Sequence, residues 1–494
     1  MKTYEALTKH YREVNSINET LSLLTWDEQV NLPFEAASQR AESLEVLSGI
    51  KHKKFTEEKV GEWLNECLQN TAELSSDEQV NLKEMKRTYD RAVKIPAKFV
   101  AKKAKLSSEA YHAWVDARKQ SDFASYAPFL KSHLAMAKEE AQFVGFSDAY
   151  DYAIDLHDPG LSADFIELLF VPLQKGILPI LQQILDSPIK VDVGILKGFS
   201  VVDQEVFLKK VISKLGFDFN RGRIDSAVHP FCSGSLNDVR LTTRYDENNP
   251  LDSLFSSIHE AGHGIYEQGL PLSYKGTPMA EAVGMAVHES QSRIWENQVA
   301  RSRGFWKYWE KELRKQFPQQ LKSVASEDLY LAINAVGINP IRVDSDEVTY
   351  NLHIILRFTL EKALFAGDLK VEDLPHEWNR LTKELLGITP KNDAEGVLQD
   401  VHWSDGAFGY FPSYCLGNMF AAQLWETVND RNPQLELEFS QGSFLSMFTW
   451  LRTNIHEEGK RLTTEALCEK ATGKKLSPVA LLKYLEQRYL PLYR

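Results

Sequence analysis

The sequence predicts a mainly α fold: a single large helical domain over residues 1–494, with a small β-sheet near its middle. Three observations predict it. Proline (19) and glycine (26) are sparse among the 494 residues, which favours long helices over many turns. Apolar side chains recur at steps of three and four along most of the chain, the spacing of one helix face. Only the stretch from Arg221 to Tyr245 breaks that texture. Hydrophobic residues make up 43% and charged residues 26%, which excludes a disordered or collagen-like chain. A prior of about 150 residues per domain would give roughly three units. No Ser/Gly/Pro linker divides the chain, however, and such a length can bury one large core.

The elements follow in order. Tyr4, Leu7, Tyr11, Val14, Ile17, Leu21 and Leu24 form one stripe, so the chain opens with an amphipathic helix. Polar, charge-rich helices continue to about residue 145. The hexapeptide DEQVNL occurs at Asp27–Leu32 and at Asp77–Leu82. Its flanks differ and only the first copy runs into Pro33, so it is a coincidence, not a repeat. Residues 160–215 carry two more helices separated by DSPIKVDVG. Gly222, Pro230, Gly234 and the β-branched run VRLTTRY (Val239–Tyr245) then predict a small sheet. After Pro250 helices resume, with loops expected at 269–278, around Pro340 and at 403–414.

Charge and cysteine usage exclude several roles. The net charge is −12, with no basic stripe for a nucleic acid and no polybasic segment for anionic lipid. Cys67, Cys232, Cys415 and Cys468 lie far apart without a CxxC pair, which fits a reducing compartment. The N-terminal MKTYEALTKHYREV lacks the apolar run of a signal peptide. Phe165–Leu185, the most apolar region, is broken by Glu167, Gln174, Lys175 and Gln182, too polar for a span of roughly 18 residues. A soluble cytoplasmic protein is expected, with no membrane and no nucleic-acid partner.

The chemistry begins at His259-Glu260-Ala261-Gly262-His263, a match to H-E-x-x-H. Asn249 as N-cap, Pro250 at the first helical position and the stripe Leu251, Leu254, Phe255 and Ile258 place it on a helix. There His259 and His263 are one turn apart on the same face and can reach one zinc ion. Glu260 sits about 100° round, beside the ion, where it can take a proton from a water. A catalytic zinc needs a third protein ligand and an open fourth position. The metzincin extension is excluded, because Tyr266 and Gly269 stand where it needs Gly and His. An acidic residue from a following helix over 279–297 is expected instead, and Glu281 and Glu289 are the candidates. Spacing does not choose between them. Glu289, beside His288 and Gln291, lies in the denser polar patch and is favoured.

HPF (His229–Phe231), DVRLT (Asp238–Thr242), HEAGH, HESQ (His288–Gln291), IRVDSDE (Ile341–Glu347) and GYFPSY (Gly409–Tyr414) occur together and in order. With TWDEQVNLP (Thr25–Pro33), this set resembles the carboxypeptidase Taq family of zinc metallocarboxypeptidases over essentially the whole chain. The resemblance implies a helical fold of two lobes flanking a deep central groove, with the small β-sheet near the active site. It implies zinc, or cobalt, and release of single residues from oligopeptides with a free C-terminus. It also implies a homodimer. Carried onto this chain, it makes His259, His263 and Glu289 the metal ligands and Glu260 the general base. Ser345 departs from the family's I-R-x-x-A-D pattern and is expected to alter packing, not catalysis.

A peptide hydrolase of this kind needs a donor for the developing oxyanion. Tyr410 and Tyr414 are candidates, the alternative being that they anchor an aromatic loop. A free carboxylate calls for the planar fork of an arginine. Arg342 is the first candidate, favoured also by the resemblance, with Asp344 and Asp346 expected to fix it; an internal Arg–Asp pair is the alternative. Arg240 is the second, unless it simply pairs with Asp238. His229, His288 and His402 are possible further donors, with His288 strongest beside Glu289. An endo-oligopeptidase with the same zinc chemistry remains the rival activity.

Overall fold

In the computed structural model, which describes residues 1–494, twenty α-helices surround one three-stranded sheet. The opening helix, Lys2–Val30, turns Tyr4, Leu7, His10, Val14 and Trp26 inward and ends shortly before Pro33, a residue that cannot continue the backbone ladder. Tyr4 and Leu7 join Val60, Leu64, Leu82 and Met85 in a small apolar cluster separate from the main core. Polar contacts tie this N-terminal region to the rest. Asp77 accepts two bonds from Arg461, both 2.8 Å, and one from Tyr274. Asn81 Oδ1 accepts from the backbone N–H of Met279 at 2.8 Å. The first DEQVNL copy does something else: Asp27 pairs with Arg40 at 2.6 Å. The shared hexapeptide thus has no shared role.

The Ala163–Leu185 helix corrects one expectation. By length and composition alone it is apolar enough to cross a membrane, despite its four polar interruptions. Ile166, Leu169, Phe170, Leu173, Ile177 and Ile180 are nevertheless buried in the main core, so protein, not lipid, covers that stripe.

The change of texture after Arg221 does mark a sheet. β1 (Gly222–Ser226) pairs parallel with β3 (Asp238–Thr243), and β2 (Cys232–Ser235) pairs antiparallel on its other edge. Leu241 lies opposite both Ile224 and Cys232. Val239 and Leu241 are buried beneath the Pro250–Gly269 helix. Two glycines in that helix allow the packing. A Cβ on Gly264 would lie 2.6 Å from Phe217 and 3.0 Å from Leu241; one on Gly262 would lie 2.5 Å from the Gln291 carbonyl oxygen.

Gln291 belongs to the next helix, which begins later than its composition suggests. Residues 281–284 are not helical, and the α-helix runs Met285–Arg293, continuing as a π-helix over Ile294–Val299. Gly284 caps it without a side chain of its own. Its first N–H groups are taken by another segment, Met285 by the His157 carbonyl at 2.9 Å and Ala286 by Asp158 Oδ1 at 2.8 Å.

Gly262→Ala must push the backbone of the 285–293 helix away. It is expected to destabilise the protein by about 1–3 kcal/mol, read as a lowered denaturant midpoint at unchanged slope. Unchanged stability would mean the two helices are not locked at this contact.

Candidate metal centre

The Pro250–Gly269 helix carries His259 and His263 with ring centroids 4.8 Å apart. Behind each ring stands an acceptor: Glu296 Oε2 lies 2.7 Å from His259 Nδ1, and the His288 carbonyl oxygen 3.1 Å from His263 Nδ1. A carboxylate and a carbonyl only accept, so each neutral ring carries its proton on Nδ1 and a lone pair on Nε2. Those two Nε2 atoms face each other at 3.2 Å. Glu289 Oε2 completes the triangle at 3.5 Å from each. Bonds of 2.0–2.1 Å about a tetrahedral ion give ligand-to-ligand edges of roughly 3.3 Å. The three donors therefore fit one divalent ion such as zinc and form a candidate metal-binding group.

Glu289 is held ready. Arg293 Nε donates to its Oε1 at 2.6 Å and Ser292 Oγ to Oε2 at 3.1 Å. Burial works against its charge, but Arg293, His259 and His263 outweigh it and keep the carboxyl well below the usual range. Arg293 also donates to Glu296 at 3.1 Å. Gly417 packs against Glu289, where a Cβ would lie 2.6 Å from its side chain. Glu281 is elsewhere, ion-paired with Lys460 at 2.7 Å, so of the two acids only Glu289 meets the histidines. Glu260 is buried beside them. Burial, helped by Glu289 and Glu296 and opposed by His259 and His288, pushes it up to about 7, a range suited to proton transfer near neutrality.

The tyrosines do not sit in a loop as expected. His402–Asp405 forms a 3₁₀ turn, Tyr410 is the N-cap of the Phe411–Arg431 helix, and Tyr414 lies in its first turn. Pro412 at the helix start is pre-set for this. The Tyr410 and Tyr414 rings are 5.3 Å apart. Burial, reinforced by the nearby Glu289 charge, raises the Tyr410 phenol and keeps it a donor. Tyr414 Oη lies 3.1 Å from His402 Nε2. Burial drives His402 down to about 4, although Asp400 opposes it, so that ring is neutral.

Arg342 is buried, and its partner is not the one expected. Its Nε and Nη2 donate to Asp400 Oδ1 at 3.0 and 2.7 Å, and Nη1 to Tyr350 Oη at 2.9 Å. Asp346 instead accepts from its own turn, at Val348 and Thr349, and Asp344 does not bond the guanidinium. Asp400 is shared, because Arg357 Nε donates to its Oδ2 at 2.7 Å. Ser345 spends its extra hydroxyl on the Ile341 carbonyl, at 2.9 Å.

The remaining candidates separate. Arg240 pairs with Asp238 at 2.8 Å and lies over Trp26. It also lines an open cavity with Asn18, Ser22, Ser233 and Glu267. His288 Nε2 bonds Glu267 at 2.9 Å, and its ring stacks on His263 at 4.3 Å. His229 is exposed in the β1–β2 connection and is not a hydrogen-bond partner of either histidine. Arg293, Glu296, Arg357 and Asp400 were not singled out from sequence. A signal existed for two: Glu289, Arg293 and Glu296 fall at i, i+4 and i+7, one charged stripe in a segment whose other polar residues are uncharged or histidine.

Comparison with known proteins gives a consistent result. The family model described as carboxypeptidase Taq (M32) metallopeptidase matches residues 6–489. Thermostable carboxypeptidase 1 of Thermus thermophilus is 38% identical over 99% of both chains. Carboxypeptidase 1 of Bacillus subtilis is 37% identical over 98% of this chain and 97% of its own. The crystal structure of an M32 carboxypeptidase from Deinococcus radiodurans R1 superposes with a TM-score of 0.96 at 37% identity, covering 100% of both chains.

Glu296→Gln keeps an acceptor for His259 but removes its charge. It is expected to weaken zinc binding about tenfold in chelator competition, with the helical circular dichroism unchanged; wild-type affinity would deny Glu296 this influence. A second expectation concerns the segment before Tyr410. Buried Glu361 accepts from Tyr150, Trp403 and the Gly409 N–H at 3.0, 2.7 and 2.9 Å, and burial raises it to about 7. Its native form holds a proton that the unfolded form releases nearer 4.5. Stability from this group is therefore full below about 4.5 and lost as pH rises through 7, by about 3 kcal/mol. Glu361→Gln should flatten that decline in denaturant midpoints between pH 4.5 and 8, and a parallel decline would refute the assignment.

Proposed function

From the premise that this chain belongs to the carboxypeptidase Taq (M32) metallopeptidase family and is a metallocarboxypeptidase hydrolysing peptide bonds, we propose that it removes single residues, with broad specificity, from the free C-terminus of oligopeptides, using His259, His263 and Glu289 to hold zinc or cobalt. One observation carries the preference for a free C-terminus. Arg342 and Arg357 share the single carboxylate of Asp400, so this buried cluster beside Tyr414 is one negative charge short. A peptide's terminal carboxylate supplies that charge, and a guanidinium has N–H groups beyond those already engaged.

A divalent ion bound here would polarise the scissile carbonyl and acidify a water. Glu260 takes the proton from that water and later delivers it to the leaving amine nitrogen. Tyr410, held protonated by burial, donates to the carbonyl oxygen as it gains charge. Tyr414, bonded to His402, braces Tyr410 and lies beside Arg342 at 5.1 Å. His288 steadies His263 through its ring and its carbonyl. Arg240, on the wall of the open cavity that also reaches Glu267, is suited to the upstream residues of the peptide. The exposed His229 is left as an outer contact for that same stretch. Cytoplasmic placement is part of this reading and is supported by four cysteines that are all free thiols. A homodimer is part of it too, to be read from the mass in light scattering.

The test pairs an unblocked peptide with its C-terminally amidated twin, followed by mass spectrometry. Stepwise shortening of the free peptide alone is expected. Chelation should abolish it, zinc or cobalt should restore it, and Glu260→Gln should lower kcat by about 10³-fold. Internal cuts in both peptides would sink the proposal and make the activity endopeptidase.

A further inference from the structure

The dipeptide His157–Asp158 lies in the turn after the Ala149–Asp155 helix, far in sequence from the metal motif. Asp158 is 1% exposed. Its Oδ1 accepts from the Ala286 N–H at 2.8 Å, in the first turn of the helix that carries Glu289. The His157 carbonyl takes the neighbouring Met285 N–H at 2.9 Å. Gly284, at the start of that helix, leaves room for this: a Cβ there would lie 2.7 Å from Asp158 Oδ1. Asp158 Oδ2 accepts from Ser413 Oγ at 2.6 Å, in the first turn of the helix headed by Tyr410. His157 Nε2 bonds the Phe408 carbonyl at 3.2 Å, and its ring meets Tyr410 edge-on at 4.8 Å.

One buried carboxylate thus holds the starts of two helices. One turn beyond the first contact is Glu289, and one turn around the second are Tyr410 and Tyr414. A neutral Ser or Asn would cap either helix adequately, whereas a buried carboxylate is costly unless every lone pair is used. An acceptor with two oxygens is what bridging both helix starts requires. We propose that Asp158 is a positioning residue, fixing the separation between the Glu289 carboxylate and the Tyr410 hydroxyl and hence between the metal and the oxyanion donor. This rests on the roles given above to Glu289 and Tyr410. Asp158 bonds none of His259, His263 and Glu289, and acts only through the two helices.

The test compares Asp158→Asn, Asp158→Ala, Ser413→Ala and Glu289→Ala as full-length protein. Zinc affinity of the metal-free protein is measured by chelator competition, the visible spectrum after cobalt loading, and kcat and KM on an unblocked peptide. Ser413→Ala cuts only the tyrosine side, so kcat is expected to fall about tenfold with zinc affinity within twofold of wild type. Asp158→Asn retains an oxygen for Ala286, and its amide N–H can donate to Ser413 Oγ in place of the bond the carboxylate accepts, so this conservative variant is expected to keep kcat and zinc affinity near wild type. Asp158→Ala loses both contacts and is expected to weaken zinc binding about tenfold and alter the cobalt bands as well. If Asp158→Ala does not fold, Ser413→Ala still decides. Wild-type kcat in Ser413→Ala, with only a lower melting temperature, would overturn the proposal and leave Asp158 structural. Glu289→Ala separates the two levels. Retained zinc affinity there would overturn the metal assignment and this inference together, whereas its loss beside a wild-type Asp158→Ala overturns this inference alone.

Discussion

Two imidazole lone pairs directed at the same point are an unfavourable arrangement in the absence of a cation. The protein imposes it by placing an acceptor behind each ring, a carboxylate for His259 and a backbone carbonyl for His263, which draws both protons away from the facing nitrogens. Glu289 then adds a negative charge to the same point. Much of the surrounding architecture follows from holding that concentration of donors together. Arg293 offsets the charge of the two glutamates from within their own helix. Gly262 and Gly417 give up side chains so that three backbones can approach. A divalent cation would satisfy all of this at once.

The second electrostatic arrangement has the opposite sign. Around Asp400 two buried guanidiniums face one carboxylate, and the nearby His402 and His353 are kept neutral, at about 4 and about 3, chiefly by burial. The chain therefore sets an electron-rich point and an electron-poor point on either side of the Tyr410–Tyr414 pair. In the function proposed above, a peptide carbonyl drawn to one and a terminal carboxylate drawn to the other would fix the orientation of a short chain terminus without contact to its side chain. That suits broad specificity, since neither point reads a side-chain shape.

Local information was legible where a pattern repeated within one element. The cap, proline and stripe of the Pro250–Gly269 helix, the two histidines on its face, and the β-branched run of β3 all lie within about twenty residues and needed no partner to be read. The resemblance settled the choice of Glu289, which the polar patch around it already favoured. The rest depended on long-range pairing. Arg342 meets Asp400, which is 58 positions away, while Asp344 and Asp346, close in sequence, face other groups. The 285–299 helix starts late because distant acceptors seize its first amides, and its π turn carries no mark in composition. GYFPSY reads as a loop from its glycine and proline, yet Pro412 starts a helix.

The separate apolar cluster of the N-terminal helices has a thermodynamic corollary. Cooperativity comes from shared burial, and a cluster centred on Tyr4, Leu64 and Met85 shares little of it with the main core. Among the bonds that join the two regions, the Asp77–Arg461 pair is part-exposed and can exchange with water, whereas the Asn81–Met279 bond is buried. One wall of the cavity beside Arg240 is formed by residues of the opening helix, Asn18 and Ser22 among them. Opening of that wall is governed by a local free energy smaller than that of global unfolding, and one that added salt lowers. His259, His263 and Glu289 lie instead on helices packed into the larger core.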